Sequence, residues 1–123
     1  MQIVKVEEEE LPIPTIWRQT FIDIVEAFKQ GDFRLKNSIE SVHPLTECEA
    51  ERIERNIADY GDVLESLPDT VWTTSVYRWM RGHWEVLIDL YTQNEGLSDL
   101  VMFVKVTENE MKYWFTVESI HVP

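Results

Sequence analysis

The amino-terminal half of the chain repeats apolar residues at intervals of three and four, which is the spacing of one face of an α-helix. The first such segment spans about residues 15–30, and its apolar positions are Trp17, Phe21, Ile24, Val25 and Phe28. Thr15, directly after Pro14, is suited to cap this helix, and Gly31 is suited to end it in the left-handed conformation. The pattern predicts an amphipathic helix whose apolar stripe is buried.

A second helix is predicted over residues 47–60. Thr46 and Glu49 have the spacing of a capping box, in which each side chain accepts a hydrogen bond from the backbone N–H of the other residue. Gly61 follows the last position, and the apolar residues keep helical spacing at Ala50, Ile53, Ile57 and Tyr60. Most other positions are charged and mainly acidic, so this helix is predicted to present an acidic face to solvent.

From residue 70 onwards the period of the apolar positions changes to two, and β-forming residues dominate. Four strands are predicted, over about residues 71–79, 84–92, 99–107 and 112–122, with short connections that imply antiparallel hairpins. The predicted fold class is α+β, with two N-terminal helices packed on one face of a four-stranded antiparallel meander sheet, in a single domain of residues 1–123. Residues 1–13 are interpreted as an edge strand at residues 3–6 or as a flexible lead-in, and the four glutamates at 7–10 as a solvated spacer.

The side-chain pairs across a hairpin indicate the register of its strands. In the first hairpin, a loop of Arg81 and Gly82 predicts four pairs: Val76 with Leu87, Arg78 with Glu85, Trp79 with Trp84, and Trp72 with Tyr91. In the last hairpin, a loop of Asn109 and Glu110 predicts three pairs: Met102 with Val117, Val104 with Phe115, and Val106 with Tyr113. The face that holds these last pairs, together with Val86, Ile88 and Leu90, is predicted to be the one that the helices cover.

Charge and composition narrow the classes of function. The chain has 11 Lys+Arg against 23 Asp+Glu, a net charge of −12, whereas nucleic-acid binding through phosphates needs a basic face. No two of its four glycines are closer than 14 positions, which excludes the common glycine-rich phosphate loops. No apolar run is long enough to span a bilayer, so we expect a soluble, cytoplasmic protein that contacts neither nucleic acid nor membrane.

Few residues are suited to metal or nucleophilic chemistry. The single cysteine, Cys48, excludes an internal disulfide and lies between two glutamates, which oppose thiolate formation. The three histidines, His43, His83 and His121, lack a second ligand at metal-binding spacing. We therefore predict no metal, no cofactor and no catalytic residue, and the sequence favours a non-enzymatic protein.

Asp89 is the most unusual residue of the predicted sheet, because it is an acid within a run of apolar residues. One interpretation is a carboxylate on the solvent face, hydrogen-bonded to Thr74. The other is a pocket or interface in which partial burial raises the pKa of the Asp89 carboxyl. Alternation and pairing predict its members as Asp89, Tyr91, Trp72, Glu85 and Arg78. This face is more apolar than solvent requires, so we expect the N-terminal segment, a second subunit or a ligand to cover it.

The connection between the second and third predicted strands is the run Glu95-Gly96-Leu97-Ser98-Asp99. Ser98 and Asp99 are suited to bond backbone amides of a turn, and Gly96 is suited to a positive φ. The functional alternative is a contact loop that uses Glu95, Ser98 and Asp99, since loops on a rigid sheet often carry recognition.

Several blocks of the chain look like a family of small bacterial proteins of unknown function. They are Trp17-Arg18-x-Thr20-Phe21, Ala27-Phe28-x-x-Gly31-Asp32, Asp59-Tyr60-Gly61, the segment from Trp84 to Val101, and His121-Val122-Pro123. The resemblance covers nearly the whole chain and implies no catalytic residues. The first helix followed by a meander is also similar to the cystatin-like cone fold of the nuclear-transport-factor-2-like superfamily, whose domains often hold a small ligand or an acid–base pair.

The distribution of acids suggests the kind of partner. Nine of the 23 acids lie between residues 40 and 69, where Arg52 and Arg55 are the only bases, and such a surface can steer a basic protein. The small, acidic, tryptophan-bearing profile is similar to that of bacterial toxin-immunity proteins. The sequence thus favours a protein-interaction domain with a basic protein partner or a homodimer. The alternative is a cone-fold small-molecule binder or acid–base enzyme that uses Asp89.

Overall fold

Two helices and a five-stranded antiparallel sheet make up the protein, which a computed structural model describes over residues 3–123. The helices are α1 (Thr15–Lys29) and α2 (Glu47–Tyr60), and the strands are β1 (Leu11–Pro12), β2 (Val76–Trp79), β3 (Trp84–Thr92), β4 (Gly96–Asn109) and β5 (Lys112–His121). The strands lie in the order β1-β2-β3-β4-β5. The predicted α+β class is confirmed, and the predicted four-stranded meander gains β1, a short edge strand.

Helix α1 buries all five residues of its predicted apolar stripe. It ends at Gly31, whose φ is 86°. There the N–H groups of Gly31 and Asp32 donate to the carbonyls of Phe28 and Ala27 at 3.0 and 2.9 Å, the two bonds of a Schellman motif. The predicted cap by Thr15 is wrong, because Thr15 is already the first helical residue and no side chain of residues 3–123 caps the helix.

Helix α2 has the predicted bounds and the predicted capping box. The Glu49 N–H donates to the Thr46 hydroxyl at 3.2 Å, and the Thr46 N–H donates to the Glu49 carboxylate at 2.9 Å. The backbone and hydroxyl of Thr46, with a smaller effect of the Arg52 charge, lower the pKa of Glu49 below its ordinary value. Ala50, Ile53 and Ile57 are buried, so the acidic positions face solvent.

The first hairpin has the predicted register as far as its strands extend. Arg81 and Gly82 both have positive φ, at 54° and 101°, and β2 pairs with β3 as predicted from Trp79 with Trp84 to Val76 with Leu87. The predicted pairing of Trp72 with Tyr91 is wrong, because Asp69–Thr73 form a 3-10 helix after Pro68. Beyond the end of β2, the Ser75 hydroxyl accepts the Asp89 N–H at 3.0 Å in place of a strand.

The last hairpin differs from its predicted register by two residues. Its turn is Glu110-Met111 rather than Asn109-Glu110, and its pairs include Val106 with Phe115 and Val104 with Val117. Because successive strand residues alternate between faces, a shift of two keeps the residues up to Val117 on their predicted faces. Beyond Val117 a β-bulge reverses the alternation, so Ile120 is buried in the core and Ser119 and His121 lie on the other face. The residues predicted to lie beneath the helices are accordingly buried: Val86, Ile88, Leu90, Met102, Val104, Val106, Phe115 and Val117.

The amino-terminal segment crosses over Trp79 and Trp84 instead of forming the predicted strand at residues 3–6. Ile3 is buried, the Trp84 indole N–H donates to the Val4 carbonyl at 3.0 Å, and the Lys5 ammonium lies 5.2 Å from the Trp79 ring centroid. The glutamates at 7–10 are exposed, as a spacer requires. The first two residues of the predicted lead-in lie outside the described residues.

Candidate functional site

The two faces of the sheet have different surroundings. One face and the helices enclose the core, whereas the open face consists of the alternate residues on β2 to β5. They are Val76, Arg78, Glu85, Leu87, Asp89, Tyr91, Leu97, Asp99, Val101, Phe103, Lys105, Thr107, Asn109, Lys112, Trp114, Thr116, Ser119 and His121. Most of these residues are half-buried, and Leu87, Phe103 and Trp114 lie outside the core cluster. The open face is therefore the larger of two candidate surfaces.

The structure brings together only part of the predicted Asp89 pocket. Asp89 is half-buried on the open face, and the Thr74 hydroxyl contacts the Val71 carbonyl at 3.5 Å rather than the acid. The Trp72 ring lies in the 3-10 helix, 5.3 Å from the Arg18 guanidinium carbon. The Tyr91 hydroxyl is 3.3 Å from that of Thr70. Trp72 is therefore part of a different contact.

Arg78 and Glu85 form the ion pair that their predicted register implies. The Arg78 guanidinium donates to the Glu85 carboxylate at 2.8 Å across β2 and β3. Lys105 is directly opposite Glu85 on the other side, in β4, but forms no ion pair within the described residues. The open face thus carries a row of alternating charge across three strands.

The second candidate surface joins the end of α2 to the β3–β4 turn. The Tyr60 hydroxyl donates to the Glu95 carboxylate at 2.7 Å and accepts the Asp99 N–H at 3.1 Å. The Asp99 N–H lowers the pKa of Tyr60, but the Glu95 hydrogen bond, burial and the negative charges of Glu95 and Asp99 outweigh it and raise that pKa. The predicted contact loop is therefore tied to the helix through one tyrosine.

Asp62 completes this attachment from the other side of Gly61. Its carboxylate accepts the Val63 N–H at 2.8 Å, the Asn94 amide at 2.9 Å and the Asn94 N–H at 3.2 Å. The nearby Thr92 hydroxyl and these N–H donors lower the pKa of Asp62, although burial opposes them. The Thr92 hydroxyl is itself buried and makes no hydrogen bond of ordinary geometry within the described residues. We call Asp59, Asp62, Glu95 and Asp99, which lie around Tyr60, the acidic end.

The predicted loop over residues 95–99 is wrong in its extent, because β4 begins at Gly96. Ser98 therefore lies in β4, where it has a structural role. It is buried, its hydroxyl donates to the Leu90 carbonyl at 2.7 Å, and it accepts the Leu100 N–H at 3.2 Å. Three residues of β4 lie opposite Leu90 at this bulge, so the hydroxyl satisfies backbone groups that a regular ladder would pair. Glu95 and Asp99 remain exposed, whereas Ser98 is not accessible to a partner.

The remaining candidate chemistry is sparse. Five surface clefts have volumes of about 240 to 500 Å³, and none of these five is lined by Asp89, Tyr91 or Trp72. Within residues 3–123, no group of three or more His, Cys, Asp or Glu is arranged to hold a metal ion. His43 and His121 instead stack on Trp114 and Phe103, with ring centroids 5.3 and 4.5 Å apart. Neither α1 nor α2 is long and apolar enough to cross a membrane.

Sequence reasoning missed the roles of Tyr60 and Asp62. The contacts of Tyr60 with Glu95 and Asp99 span 35 and 39 positions, and those of Asp62 with Asn94 span 32. A local signal existed, because Tyr60 is the last residue of α2, and Gly61 and Asp62 form its left-handed stop, where the chain turns and polar side chains often bond backbone groups. Nothing local indicated that the β3–β4 turn would be the partner.

These features define an α+β domain with an acidic end and an open sheet face. Residues 25–123 match a family described as a domain of unknown function, DUF7668, and the chain belongs to that family. The predicted resemblance to a family of unknown function is thereby confirmed, whereas the similarity to the nuclear-transport-factor-2-like superfamily is not. No curated protein and no solved structure matches the chain.

Proposed function

We propose that this domain is a non-enzymatic protein-interaction module whose acidic end recognises a basic protein segment. The observation that carries the proposal is the convergence of Asp59, Asp62, Glu95 and Asp99 around Tyr60. Within residues 3–123, none of these four carboxylates lies within 4.0 Å of a basic group, whereas four other acids do form such pairs. A lysine- or arginine-rich segment would supply the missing positive charge.

The position of Asp59 lowers the stability of the isolated fold. The last turn of a helix carries partial negative charge and favours bases, yet the last turn of α2 has no base and contains Asp59. Acids at such a site are better explained by attraction of a partner than by stability. An immunity-like role, in which a small acidic protein binds and neutralises a basic one, is a specific form of this proposal.

The fixed geometry of the acidic end supports recognition. Tyr60 and Asp62 hold the β3–β4 turn against α2 through hydrogen bonds of 2.7 to 3.2 Å. Binding a partner would therefore cost little conformational entropy in this protein, because the surface is already ordered. Its carboxylates would also accelerate association with a basic partner, and added salt would screen that effect.

The test compares two variants with the same loss of charge. Asp59→Asn/Glu95→Gln/Asp99→Asn neutralises the acidic end, and Glu47→Gln/Glu51→Gln/Glu54→Gln neutralises exposed acids elsewhere on α2. In a pull-down from bacterial lysate at low and high salt, we expect the first variant to lose captured basic protein, and the second to retain it. Salt-independent capture, no capture, or equal loss by the two variants would contradict the proposal.

A further inference from the structure

The open face has an apolar row at its centre, with a row of alternating charge beside it. The pairing places Val76, Leu87, Phe103 and Ser119 in one line across β2 to β5. The next line consists of Arg78, Glu85, Lys105 and Thr116. Both lines run perpendicular to the strands, so a second sheet laid on this face would meet them as bands.

The charge of this face differs from that of the whole chain. The open face carries three bases, Arg78, Lys105 and Lys112, against three acids, Glu85, Asp89 and Asp99, with exposed Glu118 in the β5 bulge beside it, whereas the chain carries −12. Two copies of such an acidic chain repel one another over most of their surfaces. The open face is a region where a second copy meets apolar groups, most of them half-buried, and only a small net charge.

We infer that the open face binds a second copy of this chain, as a two-fold symmetric dimer whose axis runs parallel to the strands between β3 and β4. This axis lays β3 of one copy over β4 of the other. Leu87 then lies opposite the partner's Phe103, and Glu85 lies opposite the partner's Lys105. The symmetry repeats each contact, because in such an interface residue i meets j and j meets i.

Two observations make this arrangement specific. Glu85 already accepts a 2.8 Å hydrogen bond from Arg78, so Lys105, its other neighbour, is left without an ion pair among the described residues. The partner's Glu85 supplies that acid. The alternative axis, perpendicular to the strands, would instead lay Glu85 over the partner's Asp89 and is disfavoured by like charge.

The size of the overlapping faces fits a weak, concentration-dependent contact. In this arrangement β3 and β4 of the two copies overlap over nine residues, and β2 overlaps the partner's β5 over four, so strands about 4.8 Å apart that rise about 3.3 Å per residue give a flat face of roughly 410 Å² per copy. Two such faces bury roughly 800 Å² in total, in the size range of weak and transient interfaces, below about 1,200 Å². Sheets pack in this aligned manner about 10 Å apart, with an angle of about 30° that follows from their twist.

The deciding experiment exchanges the two charges in separate variants of the full chain and measures self-association by sedimentation equilibrium, for each variant alone and for their mixture. E85K and K105E are each expected to weaken self-association at least tenfold, because each places two like charges opposite one another twice. An equimolar mixture of the two variants is expected to restore the dimer. In the mixed dimer the lysine introduced by E85K meets the glutamate introduced by K105E, and the native Lys105 and Glu85 of the two chains meet at the symmetric contact. Mixing cannot repair contacts within a chain, so recovery reports the interface itself.

The controls separate this interface from folding and from overall charge. E51K and K36E make the same charge changes at exposed sites away from the open face and should leave the dimer intact. F103R should abolish the dimer, while I16R, at an exposed apolar residue of α1, should not; circular dichroism reports the fold of each. A monomeric wild type, or a mixture that stays monomeric, overturns the inference. The acidic-end proposal is tested by variants at other positions and would survive that result.

Discussion

The first and last hairpins of the sheet both need a turn with positive φ angles, but they use different residues for it. Both turns have two residues with positive φ, but the β2–β3 turn contains Gly82, whereas the β4–β5 turn consists of Glu110 and Met111. Glycine adopts positive φ at little cost, so the sequence alone identifies the first turn. The second turn carries no such residue, and its register therefore depends on packing.

Packing beneath α1 explains the register of the last hairpin. Phe115 lies opposite Val106, where its ring centroid is 5.6 Å from that of Phe21 and 6.1 Å from that of Trp17, both in edge-to-face geometry. The Ser41–His43 segment adds backbone hydrogen bonds to Phe115, at 2.9 Å each. A register set by tertiary contacts is less visible in the sequence than one set by a glycine.

The largest expected effect comes from removing that packing. Phe115→Ala should lower the free energy of unfolding by about 3–5 kcal/mol, because it leaves a cavity under α1. The matched variant Trp114→Ala truncates the neighbouring aromatic on the open face, where burial is partial, and should cost markedly less. Urea unfolding followed by circular dichroism measures both. Equal losses would mean that the core does not determine the register of this hairpin.

An intermediate effect is expected from exchanging the character of the two turns. Met111→Gly should stabilise the protein by roughly 0.5–1 kcal/mol, because Met111 has a φ of 64° and is fully solvent-exposed. Gly82→Ala should destabilise it by roughly 1–2 kcal/mol through the positive φ alone, since an added Cβ has no atom of the described residues within 4 Å. Thermal unfolding of the two variants gives the comparison, and effects of the same sign would contradict it.

The smallest effect concerns the β3–β4 turn, which Asp62 attaches to α2. Because the folded state lowers the pKa of Asp62 below 3.8, its contribution to stability is present above that value and is lost as pH falls through the folded-state pKa. Asp62→Asn should therefore be less stable than the wild type at pH 7, with a difference that shrinks towards pH 3. Urea midpoints at the two pH values measure this, and a constant difference would rule out the carboxylate as its source.

The candidate surfaces were accessible to sequence reasoning to different degrees. The Arg78–Glu85 ion pair and the face on which Asp89 lies follow from strand alternation and from the turn at Gly82. The separation of Trp72 from Tyr91 could not be predicted in this way, because the 3-10 helix occupies the start of a segment with strand-like composition. The acidic end was also hidden, since it forms only where Tyr60 meets a turn 35 positions away.

The sequence by itself determined the helices, their stops, the face of most sheet residues and the overall charge. Each follows from local periodicity, from a cap such as Thr46 with Glu49, or from glycine at positive φ. Only the tertiary structure decided the register of the last hairpin, the path of the N-terminal segment over Trp84, and the meeting of α2 with the β3–β4 turn. These features depend on contacts between distant residues, whose energies appear only when the chain closes the loops that bring them together.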